Sequence, residues 1–253
     1  MRSTERLPGL PIQVAYLTAA AGVAAALSST VDRGYLAPQE SLGISYLPLY
    51  LAAAVVAAAL AAYFLIRYYR SIRLLMNAYT VAVTFVAALA LCAYSYACSS
   101  IPAALGIPVL AAAGVALGLR RARTRSISYT AAGLLIGVLL AIFIPASWTP
   151  YILLTFAAYD VFAVTRGPLR AIPHDMDILM VGLGDVSVGL GDVAFYSFAA
   201  SSLEIVRGPL WALAGIALIA LGAAATLILL RRLNRPMPGL TIPLILCAAL
   251  FLI

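Results

Sequence analysis

The chain has 253 residues, of which 64% are hydrophobic and only 10% charged, and its mean hydropathy is +1.05. A water-soluble domain carries roughly 25% charged residues, so the composition excludes an ordinary soluble fold and points to an integral membrane protein. The formal net charge is +7 and all 16 basic residues are Arg, but they sit in short stretches between apolar runs, a pattern of membrane orientation rather than of nucleic-acid binding.

In chain order, apolar runs predict an all-α polytopic membrane protein of nine helices, over roughly 12–28, 46–66, 74–97, 101–119, 127–144, 148–165, 186–203, 210–230 and 239–253. A hydrocarbon core about 30 Å thick takes about 20 residues at helical rise. Most of the runs meet that length, and the last is short. Runs this long exclude a closed barrel, whose strands are shorter and alternate in hydropathy. The first run follows Arg2 and Arg6 and ends in small residues, as a signal peptide does. It is long for such a segment, and the charge pattern accommodates it as a retained span.

With nine spans, the N-terminus shares a side with 67–73, 120–126, 166–185 and 231–238. That side carries Arg2, Arg6, Arg67, Arg70, Arg73, Arg120, Arg121, Arg123, Arg125, Arg166, Arg170, Arg231, Arg232 and Arg235, and the other side only Arg33 and Arg207. The positive-inside rule then places the N-terminus in the cytoplasm and the C-terminus outside. The expected organisation is one transmembrane domain over 1–253 in the cell membrane. Helices one to six fill about 12–165, a cytoplasmic loop covers 166–185, and helices seven to nine fill about 186–253. Gly114/Gly118 and Gly133/Gly137 are small-residue pairs that permit close helix contact. Cys92, Cys98 and Cys247 lie in or at the ends of apolar segments, and their odd number reads as buried packing rather than a disulfide framework. His174 is the only histidine. It leaves little for His-based catalysis, and three Asp with one distant His make a poor transition-metal set. No nucleotide-binding loop is evident, and no metal or cofactor is expected.

Against this background the carboxylates stand out, because a charge at the bilayer centre costs about 2.5–3.5 kcal/mol on insertion scales. Asp160 lies inside the sixth run, between Trp148 at its outer end and Arg166 at its inner end, about 9 Å from the inner boundary at helical rise. Gly-Leu-Gly-Asp occurs twice, at 182–185 and 189–192. With Glu204 marking the outer end of the seventh span, Asp192 is as far from that end as Asp160 is from Trp148. Asp185 is about 28 Å from it, near the cytoplasmic surface. Depth therefore pairs Asp160 with Asp192. Two carboxylates brought together in low dielectric cannot both ionise easily and share one proton. That is the chemistry of an aspartic protease, in which one carboxyl draws a proton from water and the other polarises the scissile carbonyl. Gly189 and Gly191 leave room beside Asp192 for a helix, water or a substrate backbone. A helix beginning near Val186 is long enough to span, which leaves Ile178, Leu179, Met180 and Val181 in the loop, where their β-favouring side chains predict a strand. Asp175 and Asp177 read as solvated loop acids.

Tyr159-Asp160, then Gly189-Leu190-Gly191-Asp192 followed by Phe195-Tyr196-Ser197, then Pro238-Gly239-Leu240 resemble the presenilin and signal peptide peptidase family. Those intramembrane aspartyl proteases carry Tyr-Asp, Gly-x-Gly-Asp and Pro-Ala-Leu in that order in a nine-helix fold. By motif the resemblance covers the chain from the sixth helix on, and before that it rests on topology alone. The orientation resembles presenilins rather than signal peptide peptidases, which run the opposite way. The resemblance implies that Asp160 and Asp192 are catalytic, flanked by Tyr159, Gly189, Leu190 and Gly191. It implies that Pro238, Gly239 and Leu240 shape the site and its substrate contacts, and that Ile178–Val181 pairs with an extended substrate strand. Gly239 stands where the family has Ala, and the loop after Arg166 is much shorter than in presenilins, which argues against self-cleavage there.

The expected function is hydrolysis of peptide bonds in transmembrane segments of membrane proteins or signal peptides, with water entering from the cytoplasmic side. The partners are the lipid bilayer and a substrate helix, and no nucleic acid is expected. Two alternatives belong to other classes. Prepilin or preflagellin peptidases also use Gly-x-Gly-Asp, although Tyr159-Asp160 and Pro238-Gly239-Leu240 argue against them. A proton-coupled transporter also keeps acids within the membrane, but the half-to-half repeat common in that class is absent.

Overall fold

A computed structural model describes residues 10–31, 69–95, 101–166, 180–183, 186–233 and 238–253. In these, eight α-helices and one β-hairpin follow one another: α1 (Leu10–Ser28), α2 (Tyr69–Tyr94), α3 (Ile101–Arg120), α4 (Ala122–Phe143), α5 (Thr149–Thr165), β1 (Met180–Leu183), β2 (Val186–Gly189), α6 (Leu190–Arg207), α7 (Pro209–Leu233) and α8 (Thr241–Leu252). A 3-10 turn at Ala146–Trp148 leads into α5. The helical stretches Leu10–Ser28, Leu75–Tyr94, Thr124–Phe143 and Pro209–Leu230 are long and apolar enough to cross a membrane, and Ala104–Arg120 and Thr241–Leu252 are shorter apolar helices. The span expected over 46–66 lies outside the described residues.

Apolar surroundings leave backbone and hydroxyl groups no water to bond, and helices solve this internally. Thr18, Ser28, Thr80, Thr84, Thr130 and Thr226 each turn their hydroxyl onto the carbonyl four residues back. Helix breaks fall where the sequence supplies them. Arg121 is extended (φ −107°, ψ 127°) between α3 and α4. Pro150 opens α5 in the first turn, where its missing N–H costs nothing. Gly208 takes a left-handed φ of 90° and ends α6.

Helix α6 is the hub, packed against α1, α4, α7 and α8, and Tyr196–Glu204 is buried without interruption. Glu204, expected to mark the outer end of this helix, is buried near that end, and α6 stops three residues later at Arg207. The close approach of α4 is made by the glycine pair expected to allow it. A Cβ on Gly133 would lie 3.1 Å from the Leu190 carbonyl, and one on Gly137 would lie 2.5 Å from both the Ala194 carbonyl and Ser197 Cβ. The other pair is only half used: Gly118 abuts the Ser128 side chain, and Gly114 faces open space. At the far end of α8, Arg207 donates to the Phe251 carbonyl (3.0 Å) and lies 4.7 Å from the Trp211 ring centre. It supplies a cation and a donor to a helix C-terminus that has orphan carbonyls.

Three expectations are corrected. The helix expected from Val186 starts at Leu190, because Val186–Gly189 pairs antiparallel with Met180–Leu183, in the register Met180↔Gly189 to Leu183↔Val186. Val186 and Val188 favour extended backbone, and Gly189 is itself extended (ψ 147°) as the N-cap. Of the strand expected over Ile178–Val181, Met180 and Val181 do lie in β1, which runs on to Leu183, and Ile178 and Leu179 lie outside the described residues. The helix expected from Gly239 starts at Thr241, with Leu240 as its N-cap, since Pro238 and Gly239 disfavour a helix interior. Cys92, expected to be free, is disulfide-bonded through a partner outside the described residues, while Cys247 is buried and free. Cys92 lies in the last turn of α2, where the chain leaves the helix and a second thiol can come within bonding reach.

Gly137→Ala should lower stability in detergent by about 1–3 kcal/mol, because its methyl would overlap the α6 backbone. Gly22→Ala, where a Cβ would meet nothing within 4 Å, should melt like the wild type. Identical thermal unfolding of both variants would contradict the packing described.

Candidate active site

Asp160 and Asp192 are brought together from α5 and α6. Phe156 on α5 stacks on Phe195 on α6, with ring centres 4.3 Å apart. Phe156 is four residues before Asp160 and Phe195 three after Asp192. With Asp160 also facing Asp192, these pairings run the two helices antiparallel and set the carboxylates side by side. They are close enough for their charges to act on each other.

Each carboxylate has one oxygen committed to a backbone N–H. Asp192, at the third position of α6, reaches back so that the Gly189 N–H donates to its Oδ2 at 3.2 Å. This is half of a capping box, and glycine has no side chain to complete the other half. Asp160 is 8% exposed, and its Oδ2 accepts the Leu240 N–H at 2.7 Å. Leu240 caps α8, so both donors come from helix N-termini, whose first N–H groups have no partner within the helix and which attract negative charge. A hydrogen bond to a charged group contributes about 1.5–3 kcal/mol, comparable with the cost of placing the charge there.

The Pro238-Gly239-Leu240 turn passes between the two acids. A Cβ on Gly239 would stand 3.2 Å from Asp192 Oδ2, while the next residue bonds Asp160. Two more ties hold the turn. The Tyr196 hydroxyl donates to the Gly239 carbonyl at 2.8 Å, and the Thr241 hydroxyl donates to the Ala157 carbonyl at 3.1 Å. Thr241 also faces the Asp160 carboxylate. Pro238 and Gly239 are half-buried and Leu240 is buried.

The remaining expected site residues divide. Tyr159 is half-buried beside Asp160, with its ring edge-on to Phe156 (6.4 Å, 76°). A Cβ on Gly189 would sit 3.5 Å from Asp192 Oδ2, and the Leu190 carbonyl abuts Gly133. Gly191 is exposed and a Cβ there would meet nothing within 4 Å, so no neighbouring helix uses its room. Asp185, Ile178 and Leu179 lie outside the described residues. Met180 and Val181 form half of β1, which packs near α4. Among the described residues, no three His, Cys, Asp or Glu side chains cluster as metal ligands would.

Thr241 and Phe156 were not singled out from sequence, and Tyr196 entered only as part of Phe195-Tyr196-Ser197, with no role of its own. Tyr196 carried a signal, since it follows Asp192 by four residues and so shares its helix face. Thr241 and Phe156 carried none. Neither the protein-family models nor the curated proteins compared with the chain give a match.

The geometry around the turn separates two glycines. Gly191→Ala should unfold like the wild type, whereas Gly239→Val should lose about 1–3 kcal/mol through overlap with Asp192. Equal melting temperatures for the two variants would mean that the turn does not press on Asp192.

Proposed function

We propose that the chain is an intramembrane aspartic protease that hydrolyses peptide bonds in or near transmembrane segments, with Asp160 and Asp192 as the catalytic pair. The observation that carries this reading is the placement of the two carboxylates on either side of one non-helical turn, each anchored by a backbone N–H. The anchors hold each carboxylate in place, and between them the two carry one proton and a bound water. The chemistry follows from that inventory. The ionised carboxylate takes a proton from water, and the water oxygen attacks the scissile carbonyl carbon. The protonated carboxyl gives its proton to the carbonyl oxygen, and a gem-diol forms. On collapse the C–N bond breaks: the first carboxyl protonates the leaving nitrogen, and a diol proton returns to the second carboxylate. The pair ends as it began. The substrate helix has to unwind locally, because its carbonyls are otherwise held in helical hydrogen bonds, and the open face at Gly191 is where an extended backbone has room.

The resemblance to presenilins extends this reading to nine spans with the N-terminus cytoplasmic and the C-terminus outside. The arginine distribution supports that orientation. The course of the chain supports the span count. Val31 and Ser95 bridge, and Ser95 Oγ donates to Thr30 Oγ1 at 3.0 Å, so the C-terminal ends of α1 and α2 meet. The connection from Val31 has to reach the start of α2, at the other end of that helix, which is what a span over 46–66 would provide. The disulfide at Cys92 lies at the arginine-poor end of α2, and disulfides persist on the oxidising side of a membrane.

Asp160→Ala and Asp192→Ala, each purified in detergent, should lower cleavage of a helical reporter by at least about 10²-fold. Activity kept by Asp192→Ala and lost by Asp185→Ala would transfer the role to the other Gly-Leu-Gly-Asp. Processing of a prepilin-type leader at the membrane boundary, with the helical reporter left intact, would point to the leader peptidases instead.

A further inference from the structure

We propose that Tyr196 is a positioning residue for Asp160, acting through a single peptide group. The Gly239 carbonyl that accepts the Tyr196 hydroxyl and the Leu240 N–H that donates to Asp160 are the two polar ends of one peptide unit. That unit is trans and planar, so its C=O and N–H point in opposite directions, one toward α6 and the other toward α5. A rigid plane cannot be tilted at one end only. The phenol on α6 therefore sets the angle at which the Leu240 N–H meets the carboxylate on α5. It also strengthens that donor, because hydrogen bonds in a chain polarise one another.

The surroundings suit this role. Tyr196 is only 3% exposed, and a buried phenol needs a partner for its hydroxyl. Four residues after Asp192, it stands one turn along the same face of α6, so the helix that carries one acid also fixes the donor of the other. Thr241 ties the start of α8 to α5 as well, through its hydroxyl on the Ala157 carbonyl and beside the Asp160 carboxylate, but neither contact is to the Gly239–Leu240 peptide unit. Replacing Tyr196 by Phe keeps the ring and removes only the hydroxyl.

The tie itself is independent of the protease reading, whereas its effect on turnover rests on that reading. The test is Tyr196→Phe in the full-length protein, with two readouts. In hydrogen exchange, the amides of 239–241 should exchange about tenfold faster than in the wild type, the factor expected for one hydrogen bond. In turnover of a helical reporter, kcat should fall about tenfold while KM stays within about twofold, because the hydroxyl acts on the donor to Asp160 rather than on the substrate. Thr241→Val should perturb the Leu240 amide less than Tyr196→Phe does. Unchanged exchange at 239–241 overturns the proposal whatever the activity. Faster exchange spread along all of α6, together with a lower melting temperature, also overturns it by making Tyr196 a general packing residue. If the wild type cleaves nothing while the amides respond as expected, the positioning role stands and the protease reading falls.

Discussion

A carboxylate withdrawn from water has to be given hydrogen-bond donors, and here the donors are the free N–H groups of two helix starts. Asp192 is capped by Gly189 at the beginning of its own helix, and Asp160 by Leu240 at the beginning of α8. This constraint ties the fold to the site. Both α6 and α8 have to begin at the level of the acids, since within a helix only the first turn has backbone donors to spare. The glycines and proline that look like motif decoration in sequence are the residues that create those starts.

The rest of the bundle holds the two helix starts in register. Gly133 and Gly137 let α4 lie directly on α6, and Phe156 on Phe195 fixes α5 against it at the level of the pair. Helix α8 is held at both ends, by Asp160, Tyr196 and Thr241 at the start and by Arg207 at the last turn. Along its length, α7 meets it closely: a Cβ on Gly222 would lie 2.7 Å from Pro243 Cα. A turn held from this many directions has little freedom to drift, as the proposed placing of a water between two acids would require.

Much of the site could be read from the sequence, because charge in an apolar chain is conspicuous. The cost of placing Asp160 and Asp192 within apolar runs made them visible, counting residues from Trp148 and Glu204 paired them by depth, and Pro238-Gly239-Leu240 broke the last helix. What stayed hidden depends on pairing between distant residues. Hydropathy does not distinguish the Val186–Gly189 strand from the first turn of a spanning helix, so the start of α6 was placed too early. The disulfide at Cys92 was missed because an odd cysteine count argued against any pairing. The hydroxyl of Tyr196 acquires its meaning only when Gly239, 43 residues later, lies across from it.

The separation of the Asp160 and Asp192 carboxyls, measured by electron cryomicroscopy with the protein in a lipid bilayer, tests the central claim most directly. Both should lie within hydrogen-bond reach of one water, which requires carboxyl oxygens no more than about 6 Å apart, with the Leu240 N–H still on Asp160. Carboxyls held beyond that reach, with the Pro238-Gly239-Leu240 turn lying outside the space between α5 and α6, would contradict it.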